Sequence, residues 1–477
     1  MTLSNTLTAL TLSQLKKDAH AALKHWHTAD EQSEHLLAYL LLVRERQRQL
    51  GMQTPAALRL ATNEVLLDAL KHLEQQQPEA AQILKKRFHD RETILRVSTL
   101  LGLSQDQVKH KQQDALQWLA EILLDMENQA RAALIAQQGA QLEAPSYTRL
   151  FGVDELSDRL LALLTTAVSP WLITLVGIGG IGKTSLANHT VRRAISRLYY
   201  DEVVWLKINN RSQPHLPLGP EQTFQRLVGQ LAQQLLPTLS RTTTHDELLR
   251  NLRPLLKNQA HLIVIDNLEL PADTSYMLAE LLTLAQPSRF LLTSRTPPAD
   301  HAGLLSLTLP ELSEADSLAL IRHYANEIGF TEAAAAGYAD LLPIYEVVGG
   351  NPFALKQMVN LGKRRPLPPL LAALRERPLV EGEAIYQRIL HETWLTLSHD
   401  AKAILAIMPL AAEGGMDPEQ IAALSGLSEA QMWPAINELI GRSLLEIRRS
   451  QIWERFYGIH RLTELFVRSL LDGNDDV

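Results

Sequence analysis

Apolar residues recur at helical spacing through the first 138 positions, where Leu, Ala, Gln, Glu and Lys dominate and Pro55 and Pro78 interrupt. That period predicts an all-helical domain over 1–138. The stretch QQGAQLEAPSYTRLFG (137–152) breaks it with Gly139, Pro145 and Gly152, which predicts a linker over 139–148. Beyond the linker, short apolar runs alternate with helical ones: LITLV (172–176), EVVWLKI (202–208), LIVID (262–266), FLLTS (290–294) and LSLTL (305–309). Strands without a polar face, separated by helices, belong to a parallel sheet covered on both sides, so 149–309 is expected to be an α/β domain. Strands stop after Pro310, and a small helical subdomain is expected over 310–380. Over 381–477, helices precede two short strands, LLEIRR (444–449) and RFYGI (455–459), the order of a winged helix. The expected fold class is multidomain, α plus α/β.

Length and composition narrow the picture only a little. The 477 residues suggest roughly three domains. With 46 basic against 53 acidic side chains the formal charge is −7, so the surface as a whole is no trap for nucleic acid and any DNA contact must be local. There are no cysteines, which excludes a disulfide framework, thiolate metal sites and a cysteine nucleophile. No basic start followed by a long apolar run opens the chain, and the run LLAYLLLV (36–43) is less than half a membrane span. A cytoplasmic protein without a membrane partner is expected.

Candidate chemistry sits in GIGGIGKT (177–184), which fits Gly-x-x-x-x-Gly-Lys-Thr after a predicted strand and before a helix. Glycines at Gly177, Gly179, Gly180 and Gly182 let backbone N–H groups turn toward phosphate oxygens. Lys183 would reach the outer phosphates, Thr184 would ligate Mg2+, and Ser185 opens the helix whose N-terminus favours anions. A P-loop nucleotide domain is the consequence. Its metal-shell acid is expected at the end of a later apolar strand, where HLIVIDNLE supplies Asp266. Asn267 stands where a second acid would orient water, and an amide is a poor base. Glu269 could assist, or be a solvated loop carboxylate. Slow hydrolysis is expected.

The order of these motifs resembles the STAND class of ATPases, specifically the NB-ARC or AP-ATPase group, over about 149–470. RLFGVDELSDRLLALL is similar to the group's first segment, which lines the adenine pocket, with Val153 where Arg is common. The resemblance implies that Arg295, in RFLLTSRT, reads the γ-phosphate, with Lys183 and Asp266 completing the catalytic set. It also implies that Pro352, in VVGGNPFAL, packs near the base and that His460, in YGIHRLTELFV, contacts the β-phosphate of ADP. ATP and ADP with Mg2+ are then the expected ligands of a switch, monomeric and closed with ADP and oligomeric when activated. The sensor repeats usual in the class are not in the chain, so two expectations stay open: the trigger binds the domains present, or a protein sensor or effector acts in trans.

PEAAQILKKRFHDRETILRVSTLLGLSQDQVKHKQQDALQWL (78–119) looks like the promoter-reading region of bacterial sigma factors, with a helix-turn-helix whose second helix falls at about 105–117. Gln105, Gln107, Lys109 and Lys111 are its candidate DNA contacts. A second similar stretch, EAQMWPAINELI (429–440), has no Lys or Arg and is read as packing. Two outputs stay open: DNA binding by a transcription regulator, or a helical domain that recruits a protein effector in signalling or defence. His20, His25, His27 and His35 do not bring three rings onto one helical face, so no metal is expected there.

Overall fold

A computed structural model describes residues 11–27, 37–51, 54–208, 219–239, 243–268, 271–295, 297–298, 301–375, 383–411, 415–442, 444–449 and 455–471. The chain forms two compact units, one of 1–140 with 195–199 and one of 141–194 with 200–477.

The described elements of residues 11–140 are helical. Thr11, Thr54 and Thr93 each accept a hydrogen bond from the backbone N–H three residues on, which fixes three helix starts. Pro55 and Pro78 occupy first turns, where a missing N–H costs nothing, so the two prolines begin helices rather than merely interrupt them. The last helix, Gln105–Gln141, is 37 residues long and carries through Gly139. The break expected at 139 therefore falls after 141. One glycine in a helix costs only about 1 kcal/mol, too little to end it where neighbouring residues are still packed. Within this helix Glu127 is fully buried and accepts from the N–H groups of Leu41 (2.9 Å) and Leu42 (3.2 Å). It thereby caps the helix Leu41–Gln49, whose own cap position, Leu40, has no side-chain acceptor.

In the second unit five strands form one parallel sheet: β1 (Leu172–Val176), β2 (Glu202–Lys207), β3 (His261–Leu268), β4 (Arg289–Ser294) and β5 (Leu304–Thr308), in the order β2-β3-β4-β1-β5. Every residue of β1 and β4 is buried, as continuous apolar runs require. β5 differs: as an edge strand it buries only Leu307 and exposes Ser306 and Thr308. β4 lies between β1 and β3, so the ends of these three strands open side by side. Near the end of β3 the register shifts, and Asn267 takes φ 71.

After β5 come helices, then an antiparallel pair, β6 (Glu446–Arg449) and β7 (Arg455–Gly458), and the helix Arg461–Leu471. The helical subdomain and this winged arrangement share one apolar cluster that runs from Leu312 to Val467. No helix among the described residues is long and apolar enough to cross a membrane.

Candidate nucleotide site

The turn between β1 and the helix Lys183–Ser196 is shaped by its glycines. Gly180 (φ 75) and Gly182 (φ 106) take conformations that side chains rarely adopt, and a Cβ on Gly177 would lie 3.0 Å from Ile181 Cγ2. Lys183 Nζ donates to the carbonyls of Gly177 (2.7 Å) and Ile178 (3.0 Å), so the ammonium lies along its own loop. Thr184 Oγ1 donates to Asp266 Oδ1 at 2.9 Å across 82 residues of chain. The same oxygen receives Thr293 Oγ1 of β4 at 2.6 Å, and Thr293 in turn accepts the Asn267 N–H at 2.8 Å. Asp266 is buried, and two hydroxyls hold its carboxylate in place.

These residues open onto a cavity of about 640 Å³. Of the residues singled out from sequence, Gly179, Gly180, Gly182, Lys183, Thr184, Ser185, Asp266, Arg295, Pro352 and His460 all line it, while Gly177 lies beneath the loop against Leu309. Asn267 also lines the cavity, and Glu269 lies outside the described residues.

The opposite wall begins where the helix Tyr338–Val348 stops at Gly349 (φ 69). A Cβ on Gly350 would sit 2.1 Å from Leu312 O, so only glycine allows the backbone to pass so close. Asn351 then caps the helix Pro352–Gly362, with Pro352 in the first turn. Phe353 stacks on His460, ring centroids 4.6 Å apart and 20° from parallel, which joins this helix to the start of Arg461–Leu471. Lys356, one turn on, also lines the cavity with its ammonium 5.4 Å from the Tyr324 ring centre, and burial pushes its pKa down. Tyr147 and Val153 line the wall from the segment before the sheet, and burial raises the Tyr147 hydroxyl to about 12.

Residues 153–323 match the NB-ARC domain. The chain carries an NB-ARC domain. That match supports nucleotide binding, and the matched span contains all five strands, the glycine turn and Asp266. Pro352 and His460 lie beyond it. No curated protein matches the chain significantly. Among solved structures it is similar to a Signal Transduction ATPase with Numerous Domains (STAND) protein with a tetratricopeptide repeat sensor from Pyrococcus horikoshii, at 16% identity and TM-score 0.43, covering 70% of this chain. The chain spans 44% of that protein's length. It is also similar to the ORC1 protein of Aeropyrum pernix in complex with DNA, at 17% identity and TM-score 0.33 over 70% of this chain and 96% of that one. ORC2 of the same organism, in ADPNP-ADP complexes, aligns at 16% identity and TM-score 0.34 over 69% and 98%.

Thr184 and Asp266 offer hard oxygen donors on one side of the NB-ARC cavity, a set that fits Mg2+ if phosphate oxygens and water complete its shell. Among the described residues no group of three His, Cys, Asp or Glu side chains could hold a metal unaided. Sequence reasoning picked out Pro352 but missed Asn351, Phe353 and Lys356 beside it. Asn immediately before Pro and an apolar helix is itself a cap signal. Tyr147 was hidden in a segment read as linker.

In the other unit, Gln105, Gln107, Lys109 and Lys111 fall at the start of Gln105–Gln141, after the helix Ile94–Leu101 and the left-handed Gly102. Gln107 is engaged in a reciprocal cap, accepting the Ser104 N–H at 2.8 Å. Lys109 pairs with Asp106 (2.9 Å) and Lys111 with Glu79 (2.7 Å). Gln105 is exposed, with His110 and Gln113. Gln112 is buried and accepts from Arg87 Nε at 3.3 Å. His20 stands edge-on to Phe88, His27 lies 2.7 Å from the His89 carbonyl, and His35 is outside the described residues.

Proposed function

We propose that this chain is an ADP/ATP-dependent molecular switch of the STAND class, closed and monomeric with ADP and assembling into a homo-oligomer with ATP. The observation that carries this reading is that one cavity takes its walls from the glycine turn, from Pro352 and Phe353 at the start of one helix, and from His460. A ligand there touches three parts of the chain at once, and such a ligand can bias their arrangement if the two nucleotides make different contacts.

In this reading Lys183 and the loop N–H groups hold the phosphates, while Thr184 and Asp266 hold Mg2+, which neutralises phosphate charge when bound. Arg295 answers to a third phosphate and His460 to the second, so the two side chains compete for which arrangement is stable. Asn267 gives no strong base for water, and turnover is slow. The protein acts in the cytoplasm. Its output is transcription: the helix that starts at Gln105, with exposed Gln105, His110 and Gln113, suits base edges and phosphates. The second reading, recruitment of a protein effector, is favoured by the pairing of Lys109 and Lys111 with acids of their own unit.

The test is to extract the nucleotide that copurifies and to measure mass in ADP and in ATP. ADP should be retained, ATP should raise the mass, and His460→Ala should release ADP several-fold faster, the order of one lost hydrogen bond. A chain that retains ADP equally with and without His460, and has one mass in both nucleotides, is not this switch.

A further inference from the structure

The turn 349–352 ends one helix and starts another, yet its asparagine reaches beyond both. Asn351 is fully buried. Its Oδ1 accepts the N–H groups of Phe353 (3.1 Å) and Ala354 (3.2 Å), and its Nδ2 donates to the Gly179 carbonyl at 2.9 Å, 172 residues away. The two N–H donors on Oδ1 fix which end of the amide faces the phosphate loop. Alongside, Phe353 N–H points at the Gly180 carbonyl, 3.4 Å away.

Two successive carbonyls of the loop are thus held by the start of one helix. A trans peptide carries its C=O and N–H on opposite sides, so holding the Gly179 and Gly180 carbonyls fixes where the N–H groups of Gly180 and Ile181 point. Those groups belong to the set that a phosphate loop turns toward its ligand. Gly180, at φ 75, has no side chain to hold this arrangement by itself.

We infer that Asn351 is a positioning residue: it anchors the Gly179 carbonyl from the helical subdomain and so aligns the phosphate-facing N–H groups of the loop. Affinity for the phosphate end of a nucleotide then depends on that subdomain staying docked. The inference rests on the nucleotide-site reading above and adds to it a route by which movement of the subdomain loosens the phosphates.

Asn351→Ser and Asn351→Asp separate the anchor from the cap, because Ser and Asp cap helices about as well as Asn. Ser is too short to reach Gly179, and Asp offers it no N–H. Displacement of a fluorescent ADP from the full chain should show ADP weakened about tenfold in both variants, the scale of a buried hydrogen bond with one partner removed. Adenosine affinity should not change, whatever melting temperature the variants lose to the buried carbonyl left without its donor. Adenosine and ADP weakened in the same proportion would mean a merely loosened fold and overturn the assignment. So would unchanged ADP affinity in both variants while the unaltered chain binds ADP. If the unaltered chain binds no adenine nucleotide, the nucleotide-site reading itself fails, and the inference with it.

Discussion

The phosphate loop and the start of the helix Gln105–Gln141 were both singled out by the same kind of sequence pattern, and they fare differently. Around the loop, partners come from far along the chain: Thr184 meets Asp266 across 82 residues and Asn351 meets Gly179 across 172. Around Gln105, the partners are mostly neighbours, with Ser104 to Gln107 and Asp106 to Lys109 three residues apart. Caps and three-apart ion pairs are what any exposed helix start builds. Convergence from distant segments needs a reason outside the helix. That is why the first region supports a chemical reading and the second supports two outputs.

The contrast is broken most directly at Lys183. Lys183→Ala should weaken ADP and ATP by roughly thirtyfold or more, since truncating one partner of a charged contact costs about 2–5 kcal/mol. Equilibrium titration with either nucleotide measures it, and retention at the original affinity would remove the loop from the site. Next in size is the N-terminal test. With ATP present, Lys109→Glu combined with Lys111→Glu should abolish a shift of duplex DNA at low salt, each lost phosphate contact flattening the salt dependence by about 0.9 in log–log slope. If the unaltered chain shifts no DNA in either nucleotide state, protein recruitment is the output.

The smallest effect is expected at Lys356, where burial costs the charged form. Lys356→Met should raise the melting temperature by about 1–2 °C, corresponding to roughly 1 kcal/mol in a unit as large as 141–194 with 200–477. The sign with pH follows from a folded pKa below the ordinary 10.5: the penalty is full below the folded value and fades as pH climbs toward 10.5. The advantage of methionine should therefore shrink in alkaline melts. A constant or growing advantage would show that something other than the buried ammonium sets it.

Much of the sheet was legible because β1 and β4 are buried on both faces and so carry unbroken apolar runs. β5 was legible as a strand but not as an edge, since Ser306 and Thr308 alternate outward only once its neighbours are known. The glycine turn could be read because its spacing encodes a backbone shape. Gly350 could not, because what demands it is the Leu312 carbonyl 38 positions earlier. Asn351 was passed over for the proline beside it, and its second role depends on where Gly179 comes to lie. The helix through Gly139 was misjudged because a glycine was weighed without the packing on either side.

The apolar cluster shared by the helical subdomain and the winged helix has a thermal consequence. Separating the winged helix from the helical subdomain would wet that seam, so the work of opening is done largely against water rather than against the polar groups around the phosphates. Hydrophobic adhesion weakens on cooling while the polar contacts persist. The contact between these two parts is then held more by apolar burial than by charge when warm, and cooling shifts that balance toward the polar contacts.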